Sequence, residues 1–131
     1  MIRTLLTVLF LTVFSTPVFA DWTKVGVNEV RNNFTTYYVD FERIKKHDGY
    51  VYYWELMDML KPKSTYLSLK LYKQGDCKLF RYKILSASGH KEPMGGGTPS
   101  TSSNEPEKKW RYPPPNSANE SVLKSVCKYA K

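Results

Sequence analysis

Residues 50–60, Tyr50-Val51-Tyr52-Tyr53-Trp54-Glu55-Leu56-Met57-Asp58-Met59-Leu60, decide the fold class. Read with a period of two, they put Tyr52, Trp54, Leu56 and Leu60 on one side and Val51, Tyr53, Met57 and Met59 on the other, which is the alternation of an extended strand. Both sides are apolar, so the strand sits in mid-sheet or meets a partner on its second face.

Upstream, residues 34–44 alternate Tyr37, Val39 and Phe41 with Tyr38, Asp40 and Glu42, and His47-Asp48-Gly49 supplies a tight reversal into the long strand. Downstream, Lys61-Pro62-Lys63 breaks the run, and Leu67, Leu69 and Leu71 alternate with Ser68, Lys70 and Tyr72. Gln74-Gly75-Asp76 predicts the next turn, after which Phe80, Tyr82 and Ile84 alternate with Arg81, Lys83 and Leu85. Sequential strands on short turns make an antiparallel meander. A strand over 22–27 and a short one over 108–112 complete a sheet of about six. The period then changes. Pro113-Pro114-Pro115 is stiff, Ser117-Ala118-Asn119-Glu120 matches a capping box, and Val122, Leu123, Val126 and Cys127 share one face of an amphipathic helix. The fold class is α+β.

The segment 86–107 stands apart, with Gly, Pro, Ser and Thr at 14 of its 22 positions. A loop of that length in a small domain is expected to be functional or flexible.

Residues 1–20 read as a secretory signal, with Arg3, an apolar core over 5–14, and Val18-Phe19-Ala20 at the cleavage position. Cleavage leaves one domain, 21–131, with 19 basic against 12 acidic groups, a net charge of +7, and no transmembrane segment. Inside a cell that charge with interleaved aromatics would suggest nucleic acid; outside, it suggests acidic surfaces and envelope proteins instead. No Cys follows Ala20, so the mature chain does not read as a lipoprotein. In an oxidising compartment Cys77 and Cys127 pair with each other. Such a bond would clamp the helix to the sheet.

The parts of a catalytic or metal site are missing from the pattern. His47 and His90 are the only imidazoles, neither is spaced as a ligand pair, and no nucleophile elbow occurs. Met94-Gly95-Gly96-Gly97 is followed by Thr98-Pro99 and not by a Lys-bearing helix, so it reads as a hinge rather than a phosphate cradle. Neither an enzyme nor a cofactor is expected.

Several blocks in fixed order resemble one family. They are Asp21-Trp22-Thr23-Lys24-Val25, residues 37–45, Trp54 with Leu60-Lys61-Pro62, Asp76-Cys77 with Phe80-Arg81-Tyr82, Pro93-Met94-Gly95, residues 110–115, and Leu123 with Val126-Cys127. The chain resembles the surface-adhesin E-like (protein E) domains of Gram-negative bacteria. The resemblance implies a PAS-like antiparallel sheet of about six strands with a C-terminal helix disulfide-linked to it. It also implies binding of host extracellular-matrix and serum proteins such as vitronectin, laminin and plasminogen, and a homodimer made through the sheet. Asp21 stands where the founding adhesin is acylated.

The expected function is therefore that of an exported, non-enzymatic, adhesin-like protein-binding domain, in the periplasm or at the surface of a Gram-negative bacterium. A periplasmic small-ligand carrier or sensor is the second reading, since PAS-like sheets often enclose a pocket beneath a helix. An envelope housekeeping protein or an inhibitor of a host enzyme is the third. For protein binding the candidate residues are Tyr50, Tyr52, Tyr53, Lys61, Lys63, Arg81, Lys83, His90, Lys91, Lys108, Lys109 and Arg111, because Tyr and Arg dominate protein interfaces.

Overall fold

The structure, a computed structural model, describes residues 20–59 and 66–131. Lys61-Pro62-Lys63 and nearly all of the expected signal segment lie outside the described residues. Among them, one antiparallel sheet contains β1 (Thr23–Val30), β2 (Asn33–Val39), β3 (Lys45–His47), β4 (Tyr50–Met59), β5 (Ser68–Asp76), β6 (Arg81–His90) and β7 (Thr101–Ser103). The spatial order is β1-β2-β4-β5-β6-β7, with β3 paired to β4 beyond the end of β2. Helix α1 (Ala118–Tyr129) packs on one face.

Strand β4 is central, as its two apolar sides require. Its odd positions Val51 and Tyr53 face the helix and join a core of Tyr37, Val39, Tyr82, Val122, Leu123 and Val126. Gly75, opposite Val51 in the ladder, is needed for this closeness, because a Cβ there would lie 2.8 Å from Val51 Cγ2 and 3.1 Å from Leu123 Cδ1. The disulfide joins Cys77 to Cys127 with Cα atoms 5.6 Å apart and pins the last turn of α1 to the end of β5. Ser117 caps the helix through the amide of Glu120 at 3.1 Å. The Glu120 carboxylate accepts from the amide of Asn116 rather than from that of Ser117, which turns back to the Pro114 carbonyl.

Four expected boundaries move. The run 34–44 is not one strand: β2 stops at Val39, a 3₁₀ turn occupies Phe41–Arg43, and β3 resumes the ladder. Buried Asp40 causes the break, its amide reaching the Trp54 carbonyl and its carboxylate meeting Arg43 at 3.3 Å. Gln74-Gly75-Asp76 belongs to β5, and the reversal falls on residues 77–80, where Asp76 Oδ1 accepts from the amides of Lys78 and Leu79 at 3.1 Å each. Residues 108–112 contribute one bridge, Arg111 to Tyr82, instead of a strand. The 86–107 segment is less of a loop than its composition suggests, since β6 continues to His90 and β7 lies within it. Its Gly89 lets the Tyr66 ring pack directly on the backbone, at a place where a Cβ would come within 2.8 Å.

One polar pair interrupts the helix-side core. Glu55 and Lys73 are essentially unexposed, with Lys73 Nζ 2.8 Å from Glu55 Oε2 and 4.4 Å from the centre of the Tyr82 ring. The contact is ionic rather than a well-aligned hydrogen bond, and neither carboxylate oxygen receives a donor in good geometry. Burial, and after it the charge of Glu55, raises the pKa of both Tyr37 and Tyr53.

Candidate functional site

The even positions of β4 form the sheet face turned away from the helix. On it Tyr52 and Trp54 stand opposite Gln74 and Tyr72 of β5. Trp54 and Tyr72 are 4.9 Å apart between ring centres, Tyr52 and Tyr72 are 6.3 Å apart, and Gln74 donates to the Tyr52 hydroxyl at 3.2 Å. All four side chains are half-buried. Burial, then the neighbouring Tyr52, raises the Tyr72 pKa.

Each end of this aromatic strip is closed by a different device. At the Tyr50 end, Trp110 stacks on Tyr50 with centroids 5.6 Å apart, and Arg81 and Lys83 lie over the Trp110 ring at 4.3 and 4.5 Å. Arg81 also pairs with Asp76 at 2.9 Å. At the other end the 93–97 segment folds over Asp58, Ser68 and Lys70. The Met94 amide donates to Asp58 Oδ1 at 2.8 Å, and Ser68 Oγ accepts from the Gly95 amide at 2.8 Å while donating to the Glu92 carbonyl at 2.7 Å. Gly95 has φ +69°, a left-handed conformation that favours glycine, and a Cβ there would also push the flexible Lys70 side chain aside. The expected glycine hinge is a pinned cover.

The predicted contact residues divide. Tyr50, Tyr52, Arg81 and Lys83 belong to the strip or its rim. Lys91, Lys108, Lys109 and Arg111 are exposed, Arg111 being paired with Glu107 at 2.7 Å; that guanidinium holds the Glu107 carboxyl below its ordinary pKa. Lys61 and Lys63 lie outside the described residues. Two placements correct the sequence reading. Tyr53 is 0% exposed and belongs to the core under α1, because odd residues of β4 face the helix. His90 is 2% exposed and is a structural latch: its Nδ1 lies 3.2 Å from the Gly96 carbonyl, which can only accept, so Nδ1 carries a proton and donates. Nε2 meets the Ser88 hydroxyl at 2.9 Å. Trp54, Tyr72 and Trp110 were missing from the sequence-based set. The even-face alternation could have indicated Trp54, whereas Trp110 reaches the sheet only through the course of the chain.

A family model described as Surface-adhesin protein E matches residues 22–128. The fold is similar to that of Haemophilus influenzae protein E in its crystal form II, with a TM-score of 0.58 and 19% sequence identity, over 72% of this chain and 83% of that chain. At that identity the likeness carries the fold alone. No curated protein sequence matches the chain.

Proposed function

The chain belongs to the surface-adhesin protein E family, and from that membership we propose that it is an exported, non-enzymatic protein-binding domain whose contact surface is the open sheet face. The observation that carries this reading is the half-buried Tyr52-Trp54-Tyr72 strip, with Tyr50, Trp110, Arg81 and Lys83 at its rim. Aromatic groups outside a filled core, flanked by cations, have the composition of a binding hot spot. The space between helix and sheet is occupied by Tyr53, Leu123 and Val126, all unexposed, which supports contact on the outer face over a ligand enclosed beneath the helix. No helix among the described residues is long and apolar enough to cross a membrane.

The ligands to test first are host matrix and serum proteins, with immobilised vitronectin, laminin and plasminogen as probes. At physiological salt the exported chain binds at least one of them. Trp54→Ala or Tyr72→Ala weakens binding by about 30-fold, the scale of a hot-spot residue, with the circular-dichroism spectrum retained. Absence of binding to all three, or binding that both variants leave intact, overturns the reading. Sedimentation velocity addresses self-association. A stable dimer that buries Trp54 and Tyr72 would assign the face to a second copy of the chain and remove it from host contact.

A further inference from the structure

A second surface adjoins the Tyr50 and Arg81 rim of the aromatic strip, at the end of the molecule marked by the disulfide. Three open depressions share walls there. One is lined by Lys46, His47, Tyr50, Cys127 and Lys131 among others; the next shares Asp48, Gly49 and Tyr50 with it and adds Lys78 and Leu79; the third shares Cys127 and Lys131 and adds Phe80, Lys124 and Lys128. The Cys77–Cys127 bond thus holds the β3–β4 turn, the β5–β6 turn and the carboxyl end of α1 in one patch.

The patch is cationic with apolar tips. Lys46, Lys78, Lys124, Lys128 and Lys131 are all exposed. Of the opposing carboxylates, Asp76 is engaged by the Lys78 and Leu79 amides and Arg81, Glu120 takes up Lys124 at 3.1 Å, and Asp48 lies 3.0 Å from the His47 ring, which offsets it only when protonated, so Lys46, Lys78, Lys128 and Lys131 carry the charge of the patch. Two apolar side chains protrude beside lysines of the patch: Leu79, 54% exposed, with Lys78 in the second depression, and Tyr129, 58% exposed, which shares a further depression with Lys128 and Phe41. Nothing in the fold needs Leu79 outside; the turn is held by Asp76, and Phe80 alongside packs against the core.

Lysines flanking an exposed aliphatic and an exposed aromatic side chain suit an anionic lipid surface. The ammonium groups meet headgroup phosphates while Leu79 and Tyr129 enter the headgroup boundary, and the lysine stems cover the apolar flank. A soluble polyanion would use the lysines but gain nothing from Leu79. We propose that this disulfide-pinned end docks the domain on the headgroup surface of anionic phospholipid bilayers, without entering the hydrocarbon, which leaves Tyr52, Trp54 and Tyr72 outside the contact and available to proteins.

The test is co-sedimentation of the exported chain with vesicles of phosphatidylcholine alone and of phosphatidylcholine mixed with phosphatidylglycerol. The protein is expected to pellet with the mixed vesicles only, and less so as salt rises. Lys128→Gln and Lys131→Gln should each lower the partition coefficient about five-fold, on the scale of one lysine near a charged membrane. Leu79→Ser should lower it at constant charge, and Trp54→Ala should leave it unchanged. Equal pelleting with both vesicles, or none with either, overturns the proposal. So does a Leu79→Ser protein that retains full vesicle binding, since the patch would then be a general polyanion site; heparin chains competing equally against both proteins would identify it as such. Leu79 and both lysines are exposed, and thermal melts of each variant separate lost binding from lost fold.

Discussion

The two faces of the sheet carry the same kinds of residue and use them in opposite ways. Under the helix, Tyr37, Tyr53 and Tyr82 surround the Glu55–Lys73 pair, and all five side chains are at most 6% exposed. On the open face, Tyr50, Tyr52, Tyr72, Trp54 and Trp110 are half-buried, and Arg81 and Lys83 ride on an aromatic ring at the rim. A tyrosine is structural or available according to the parity of its position on the strand, and helix α1 decides which parity is which. The charged groups follow the same division. Lys73 is locked against Glu55, and Lys83 stays within reach of a partner.

The largest expected difference between the faces is in stability, and it can be read at Lys73. Lys73→Met leaves the Glu55 carboxylate buried with no cation and removes the contact with Tyr82, so unfolding free energy in urea should fall by about 3–5 kcal/mol. Adding Glu55→Leu should restore most of it, because an apolar pair of similar volume avoids the desolvation penalty. A double variant as weak as the single one would show that the pair holds the core together in its own right. Truncating Lys83 on the other face, half-buried over the Trp110 ring, should cost about 1 kcal/mol or less, the scale of a cation–π contact at the surface.

Next in size is the clamp that keeps the helix on its face. Replacing Cys77 and Cys127 by Ser reopens a loop with a sequence separation of 50 residues, worth roughly 4 kcal/mol in the chain-entropy description. Hydrogen exchange should then show α1 opening ahead of β4 and β5, as Val122, Leu123 and Val126 are its fully buried anchors, with Ala118 and Ala130 packed beside them. Uniform loss of protection across helix and sheet would mean instead that the two form one cooperative unit.

Much of this division was legible in the residues. Alternation over 50–60 and 67–71 defined the two faces, and the Ser117 cap with Val122, Leu123, Val126 and Cys127 defined the helix and its buried side. Alternation cannot say which face a helix will choose, so Tyr53 read as surface although it is core. Nor does it reveal a buried side chain that bends the backbone, as Asp40 does between β2 and β3. Composition misled at 86–107, where Ser and Gly look like loop residues. In the structure Gly89 makes room for Tyr66, and His90 and Ser68 pin the glycine segment through backbone bonds. Trp110 escaped because its neighbours on the sheet, Tyr50, Arg81 and Lys83, are distant in sequence.

The smallest effect expected is a difference in alkaline titration. Burial, with the Glu55 charge adding to it, raises the pKa of Tyr37 and Tyr53, and Tyr82 is raised chiefly by burial as well. A phenol whose folded pKa lies above its unfolded value favours the folded state fully below pH of about 10, and that advantage disappears as pH climbs through the folded pKa. Stability should therefore decline above pH of about 10, and the phenolate absorbance of these three residues should emerge together with loss of the tertiary signal. In Glu55→Gln the negative charge facing them is gone and buried Lys73 loses its partner, so the variant is less stable, part of the elevation should vanish and their ionisation should begin at lower pH. Tyr72 on the open face is also raised, by burial and Tyr52, but it lies outside the Glu55 cluster and should titrate identically in both proteins. If Glu55→Gln moved Tyr72 as far as Tyr53, the two faces would be electrostatically one environment, and the separation between a sealed core and an independent contact face would fail.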